Sequence, residues 1–544
     1  VNQRGTSRPA AAGRDASPLR TAAAPPPAWP SLAAGGAALA LYLAWCPRVP
    51  GDQDSPEFML VLATLGLAHP TGYPLYTLLG HAFVTALHGA GATWGYAANA
   101  WSALGGAVAM GLLHAFGARL LSTAGVRARD ATLLALLPVL ALAANPVWTN
   151  EATLAEVNSW HLAWVAGACL FASVQLDRRD SREPNHGAAL AWGVLCGLGL
   201  AHHRTSVWVA APLTFVLLAR AGRRAPALAP AALVGALAPL TSYAYVAWRA
   251  SHPAAVQWPA LEPGARGLSE FVSGTGYAHY LGTFAPSEGQ RELLAHDVYP
   301  WLAPAAAAAL ALPFVRSGTP AGLRAALAAA VAVQVGYVFA YGVPDPASYF
   351  LPPLAIGLAV APALLAALAP ARRVGRPLAA AALLLVIAAG RTWPGVAVAR
   401  AATFTKLDRL MRDMWASIPR ERGYVIFEDD QWYRLVAFQV LEGTKRELTV
   451  VNPVHFRHAG VRRAFAARHG FDPLAQLPPA QWAAAGTGAE LDPLRAAMVD
   501  GLARTGEPVF VFLPQVPSVR LLRERGAAPA DGVATPVRPT PSAR

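Results

Sequence analysis

Apolar residues in this chain come in long unbroken runs, and that pattern constrains the fold more than any other feature. Eleven such runs lie near 31–46, 94–121, 131–146, 158–176, 187–201, 205–219, 226–248, 298–315, 325–342, 350–369 and 378–393. Several approach the roughly 20 residues that a helix needs to cross a bilayer. The runs are continuous rather than alternating, which argues against a closed β-barrel and leaves helices as the way to satisfy backbone hydrogen bonds in lipid. Over the 544 residues, 55% are hydrophobic and only 14% charged, with a mean hydropathy of +0.35. The expected class is a mainly α, polytopic helical membrane protein with about eleven spans. The apolar segment 75–88 starts at Pro74 and holds His81 and His88; it reads as an interfacial helix, with a twelfth span as the alternative.

The formal net charge of +13 would suggest nucleic acid in a soluble protein. Here no reader motif accompanies it, and the arginines fall in short loops between apolar runs. With the N-terminus placed in the cytoplasm, Arg127 and Arg129, then Arg178, Arg179 and Arg182, then Arg220, Arg223 and Arg224, then Arg316 and Arg324, then Arg372, Arg373 and Arg376 all fall inside. That distribution obeys the positive-inside rule, and the opposite orientation breaks it at every cluster. Cys46, Cys169 and Cys196 sit in apolar runs and read as small core residues rather than a disulfide or metal set. Residues 1–30, with Arg4, Arg8, Arg14 and Arg20 among Ala, Pro and Ser, read as a disordered cytoplasmic tail, followed by a signal-anchor-like run.

This orientation collects the unusual polar residues on the other face. Asp52, Asp54, Glu57 and His69 fall in the first outer loop; Asn150, Glu151, Glu156, Asn158 and His161 straddle the next; His202, His203 and Arg204 form a tight turn. A longer loop, 249–297, carries Trp258, Glu270, Tyr277, His279 and Tyr280, and Asp345 lies between two prolines. Charges gathered at one face, rather than mid-span, favour surface chemistry over conduction. The membrane domain is expected over 31–393. Beyond it, 394–524 reads as a small α/β domain, extracytoplasmic on an odd span count: strands at Gly423–Glu428, Leu448–Asn452 and Pro508–Leu513, and a helix at Asp430–Leu441. Residues 525–544 are rich in Pro, Ala and Arg and read as disordered.

The first outer loop is the strongest candidate site. Asp54 and Glu57 are three residues apart and share a helix face. A partly desolvated carboxylate there has a raised pKa and suits a general base, but Asp54-Ser55-Pro56-Glu57 equally reads as a helix N-cap with proline in the first turn. His69-Pro70-Thr71-Gly72-Tyr73-Pro74 is a stiff turn that either presents His69 or serves as a re-entrant bend. Glu156 and Trp160 are four residues apart and so share a helix face, and Glu156 either faces substrate or caps a span; Asp345 is a ligand or a turn former. Arg204 keeps its charge and suits a phosphate oxygen, whereas the adjacent histidines diverge too far to share a metal. No Walker loop, dinucleotide fingerprint, zinc spacing or hydrolase elbow stands where its context requires it.

At these residues the chain resembles the GT-C membrane glycosyltransferases that include the protein O-mannosyltransferase of plexin-type IPT domains. Asp54-Ser55-Pro56-Glu57-Phe58 followed by Leu67-Ala68-His69-Pro70-Thr71-Gly72-Tyr73-Pro74-Leu75-Tyr76 is similar to the family's D-S-x-E-F and G-x-A-H-P-P-G-Y-P-L-Y elements. Ala155-Glu156-Val157-Asn158-Ser159 is similar to A-E-V-Y-S, and Gly199 to Thr205 to G-L-x-x-N-H-x-T. Phe427 to Asn452 resembles the family's soluble part. The resemblance spans roughly 45–455, with departures at Thr71, Asn158 and His202. It implies a polyprenyl-phosphate sugar donor, mannose-like, an acceptor hydroxyl on protein or glycan, and an inverting single displacement at the outer face, without metal or other cofactor; separately, the high Ala, Arg and Pro usage points to a bacterium of high genomic GC content and hence to its inner membrane. Asp54 would be the base, with Glu57 organising it; His69, Tyr73, Glu156, His202 and Asp345 would line the substrate, and Arg204 with His203 would steady the leaving phosphate. A non-catalytic lipid or polymer transporter, or an envelope assembly factor, is the alternative reading of the same cavity.

Overall fold

The computed structural model describes residues 27–177, 185–252, 261, 264–368, 385, 387–428, 431–478, 492–513, 518–523 and 535–536. The sequence expectations for 1–26, and for all of 525–544 except Thr535–Pro536, lie outside them, as does the start of the span near 378–393. The first half of the chain is helical: α1 (Trp29–Trp45), α2 (Ser55–Thr64), α3 (Pro74–Gly89), α4 (Trp94–Thr123), α5 (Ala128–Leu134), α6 (Leu136–Ala143), α7 (Pro146–Glu151), α8 (Asn158–Asp177), α9 (His186–His202), α10 (Val207–Ala221), α11 (Ala225–Leu240) and α12 (Tyr243–Ser251). Then follow α13 (Gly264–Ser273), α14 (Glu288–Leu293), α15 (Tyr299–Ala311), α16 (Ala321–Phe339), α17 (Leu351–Leu368) and α18 (387–398).

Among the described residues, five helical stretches are long and apolar enough to cross a bilayer: Trp94–Thr123, Asn158–Asp177, Arg204–Ser251, Ala321–Phe339 and Ser348–Leu368. The sequence count of about eleven also took in shorter runs, and the structure interrupts some of them. The run 131–146 breaks at Ala135, where Pro138 lacks an N–H and its ring crowds the carbonyl of Leu134. The run 226–248 breaks at Thr241–Ser242, where the Thr241 hydroxyl bonds back to the Ala238 carbonyl at 2.6 Å. Segment 75–88 is a single helix, α3.

The bundle packs around α4, which contacts α1 and α8 extensively. Helices α9 and α11 meet backbone to backbone through Gly193, Gly197 and Gly235. A Cβ at Gly193 or Gly197 would strike the carbonyl of Ala232 or Ala236, the close approach that small residues four apart permit. At thirty residues, α4 is about 45 Å long and its ends define the two poles of the bundle. At its start, the Thr93 hydroxyl donates to the carbonyl of Arg48 at 2.6 Å. At its far end, Thr123 bonds Thr319 at 2.9 Å and Arg119 pairs with Asp177. The loops beginning at Val126 and Arg316, which carry two of the arginine clusters, therefore start from one pole.

The C-terminal region holds α19 (Lys406–Ser417), β1 (Arg422–Ile426), α20 (Trp432–Val440), β2 (Glu447–Val451), α21 (Ala459–His469), α22 (Asp492–Ala503), β3 (Val509–Leu513), β4 (Ser518–Arg523) and β5 (Thr535–Pro536). The sheet order is β2-β1-β3-β4-β5, with β1 parallel to β2 and β3, and β4 antiparallel to β3 and β5. Alternation along β1 serves two layers. Val425 and Phe427 pack with Met411, Trp415, Leu435 and Phe438 of α19 and α20; Tyr424 and Ile426 pack with Phe465 of α21 and with Leu494, Met498 and Leu502 of α22. Helix α20 also contacts α2, so the α/β layer rests on the pole where the first outer loop lies.

Candidate active site

The start of α4 fixes the segment that leads into the first loop. The Asn99 amide donates to the carbonyls of Pro47 and Val49, at 3.0 and 3.1 Å. The chain then turns through Gly51, whose N–H donates to the Ser55 hydroxyl at 2.9 Å, and enters α2. Asp54 is the N-cap residue by position, but its carboxylate makes no capping bond; only its carbonyl is engaged, by the N–H of Phe58 at 2.9 Å. Of the two readings of this segment, side-chain capping by Asp54 therefore does not occur.

Glu57 has a different part. It is buried, at 2% exposure, and each of its oxygens accepts a bond from His69: Oε1 from the backbone N–H at 2.7 Å, Oε2 opposite Nδ1 at 3.0 Å. Glu57 thus ties down the His69–Tyr73 turn, which Gly72 closes at φ +87°. The other imidazole nitrogen of His69 lies 3.2 Å from the Tyr73 hydroxyl and 4.0 Å from Asp54 Oδ2. Both Glu57 oxygens are thus committed to His69.

Asp54 opens into a cavity of about 780 Å³. Its lining includes Asp54, Glu57, His69, Tyr73, Glu156, His203, Arg204 and Asp345, eight of the nine site residues expected from sequence. The ninth, His202, does not line it. It ends α9 facing inward, where its Nε2 bonds the Val157 carbonyl at 2.9 Å. A second correction concerns Glu156, which precedes α8 and so shares no helical face with Trp160; that indole packs on Trp101 at 4.5 Å. Ser102 holds the backbone of Glu156 through both its N–H and its carbonyl, and Asn158 donates to Glu151 at 2.9 Å.

The electrostatics are those of crowded carboxyl groups. Asp54 is half-open to the cavity, yet enclosure by protein pushes its pKa up, the His69 charge opposes that rise and Glu57 adds to it. Burial likewise pushes Asp345 up to about 6, with a bond from the Ala347 N–H working against it and the charge of Asp54 adding to it. Burial raises both Glu151 and Glu156, with the charge of Asp345 adding to the first and that of Glu151 to the second. Among the described residues lining the cavity, Arg204 is the one permanent cation. It stands beside Gly274, close enough that a Cβ there would lie 3.4 Å from its Nη1.

Rings complete the lining. His69, Tyr277, Tyr280, Tyr341, Tyr349, His203 and Tyr73 form a circuit that closes on itself, with successive centroids 5.3 to 6.4 Å apart. Sequence reading placed Tyr277 and Tyr280 on the outer face but missed Tyr341 and Tyr349, and also Trp208 and Tyr433, which line the cavity too. The signal available for Tyr341 and Tyr349 was a tyrosine at each end of the short loop that carries Asp345.

Asp54, Glu57 and His69 also place one possible ligand atom each within 4.8 Å of the others, and two carboxylates with an imidazole suit a divalent ion. Both Glu57 oxygens are bonded to His69, so an ion would have to displace those bonds; the set does not fit a resident metal as it stands.

The helical domain thus gathers a carboxylate that caps nothing, one arginine and a circuit of rings around one cavity. Residues 54–225 match the family described as the protein O-mannosyl-transferase TMEM260 N-terminal domain, and the motif resemblance holds over that stretch. No curated protein matches the chain. Among solved structures, the chain is similar to ArnT from Cupriavidus metallidurans bound to undecaprenyl phosphate, at 13% identity over 78% of this chain and 90% of that one, with a TM-score of 0.48. It is also similar to the Archaeoglobus fulgidus oligosaccharyltransferase in its apo form, at 13% identity over 88% of this chain and 69% of that one, with a TM-score of 0.48.

Proposed function

We propose that this enzyme moves a mannose-like sugar from a polyprenyl-phosphate donor to an acceptor hydroxyl at the extracytoplasmic face of the inner membrane, inverting the anomeric centre. The observation that carries this reading is Asp54: a carboxylate that caps nothing, in a cavity that also holds Arg204. The acceptor oxygen attacks the anomeric carbon while Asp54 takes the acceptor proton. The bond from that carbon to the phosphate oxygen breaks, and Arg204 bears the charge that gathers on the leaving lipid phosphate. Burial strengthens Asp54 as a base, since a raised pKa brings it nearer the working pH. Glu57 holds His69, and His69 borders both the base and the ring circuit, where sugar C–H faces have aromatic surface to lie on.

The loops that carry Arg127 and Arg129 and that carry Arg316 support an outer position for the cavity, because they start from the opposite pole. On that orientation the α/β domain is extracytoplasmic as well. The test is incubation of the purified protein with polyprenyl-phosphate mannose, followed by mass spectrometry for transferred or hydrolysed sugar. Asp54→Asn is expected to lower the rate about a thousandfold while the protein still folds and binds the donor. Wild-type transfer by that variant removes Asp54 as the base, and donor movement without any new glycosidic bond replaces the enzyme with a transporter.

A further inference from the structure

The turn that carries Asp54 is held from outside the membrane bundle. Arg434, on α20 of the α/β domain, is 1% exposed. Its Nη2 donates to the carbonyl of Pro50 at 2.9 Å and also to that of Gly51. Its Nη1 donates to Asp408 Oδ1 at 3.0 Å, and its Nε to Gln431 Oε1 at 2.6 Å. Asp408, on α19, supplies the counter-charge that a buried guanidinium needs, and Arg412 secures it from the other oxygen at 2.8 Å. Gly51 is thereby pinned on both sides, its carbonyl by Arg434 and its N–H by Ser55. There is no slack beside it: a Cβ at Gly51 would fall 2.6 Å from the Leu154 side chain. The neighbouring residue on α20, Tyr433, lines the cavity itself. Docking of one domain on another needs only apolar surface; a buried cation aimed at two backbone carbonyls sets a position.

We propose that Arg434 is a positioning residue for the transfer reaction, fixing through the Pro50 and Gly51 carbonyls the place at which Asp54 meets the acceptor. The α/β domain then belongs to the catalytic apparatus, whatever else it binds. This rests on the reading of Asp54 as the base. The planar fork is what reaches two carbonyls and a carboxylate at once, so a lysine cannot replace it.

The test uses the full-length chain. In Arg434→Ala, kcat should fall about a hundredfold, the scale on which a 1 Å misplacement acts. KM for polyprenyl-phosphate mannose should stay within about twofold, because the donor's own contacts are untouched. Millimolar guanidinium should restore part of the rate to Arg434→Ala and none to Asp54→Asn, and Arg434→Lys should remain impaired. If Arg434→Ala does not fold, Arg434→Gln carries the same measurements. Wild-type kcat in either folded variant overturns the proposal, as does a loss that guanidinium leaves unmoved. An inactive Asp54→Asn beside an unimpaired Arg434→Ala sinks this inference alone; a fully active Asp54→Asn sinks the base beneath it.

Discussion

The two walls of the cavity are built on different principles. The first-loop wall, residues 50–76, is tied down by directed polar bonds: Ser55 to Gly51, Glu57 twice to His69, Tyr73 to His69, and Arg434 to the Gly51 carbonyl. The facing wall is made of rings on two loops that meet backbone to backbone, where Gly282 donates to Ala340 at 2.7 Å and Gly342 to Tyr280 at 2.9 Å. Tyr277 stacks on Tyr280, and Tyr341 meets Tyr280 and Tyr349 edge-on, with Arg204 nearby as the fixed charge. In the reaction proposed above, proton transfer, which tolerates little misplacement, would fall to Asp54 on the polar-bonded wall. Holding a sugar and a phosphate needs area and charge, which rings and an arginine supply.

If that division is right, damage to Arg204 and damage to Glu57 should read differently. Arg204→Gln removes the charge that meets the developing phosphate, and kcat is expected to fall by about two to three orders of magnitude, as for loss of a transition-state donor. Donors with better leaving groups should lose less, because they place less charge on the departing oxygen. Equal losses across a series of leaving groups would move Arg204 from the phosphate to ground-state binding, and would blur the difference between the walls.

Glu57→Gln is the milder case. The amide oxygen can still accept from the His69 N–H, but its NH2 then faces Nδ1, where the carboxylate stood at 3.0 Å. His69 must change tautomer or turn, and neither the phosphate nor the base is removed. The expected loss is about ten- to a hundredfold in kcat, the range for a displaced supporting group. Leaving-group dependence should stay as in the wild type. A loss as deep as that of Asp54→Asn would return Glu57 to the chemistry itself.

The same division explains what the sequence made legible. Asp54, Glu57, His69 and Arg204 stand out because charge is rare in a chain this apolar, and the arginine loops order them onto one face. The β1, α20, β2 and β3 segments were legible within a residue or two at most boundaries because each is a short apolar run between turn formers. Tyr341 and Tyr349 were not, since a tyrosine near a span end is ordinary at a membrane interface and says nothing of which cavity it faces. His202 was misassigned for a related reason. Its neighbours His203 and Arg204 do line the cavity, and only the last turn of α9 decides that His202 faces Val157 instead. Arg434 gave no local signal at all: its partners Pro50 and Gly51 lie more than 380 positions away.

The smallest expected effect is also the one that tests whether the walls are electrically coupled. Asp345 belongs to the facing wall, yet its charge and that of Asp54 each make the other harder to ionise. A base must be deprotonated to work, so kcat should fall as pH drops through the Asp54 pKa, at a pH above the ordinary carboxylate range because burial has raised it. Asp345 takes up its own proton at about 6, so near neutral pH it is charged and holds the Asp54 pKa higher than it would otherwise be. Once either group is protonated, that influence fades, which spreads the wild-type acid limb over a broader range than one proton would give. Asp345→Asn removes the partner. Its pH–kcat profile should therefore lie at lower pH, by less than about one unit, and should follow a single-proton curve. Superimposable profiles would mean that the cavity water screens the two walls from each other, and Asp345 would then be a turn former whose Oδ1 accepts from Ala347 and nothing more.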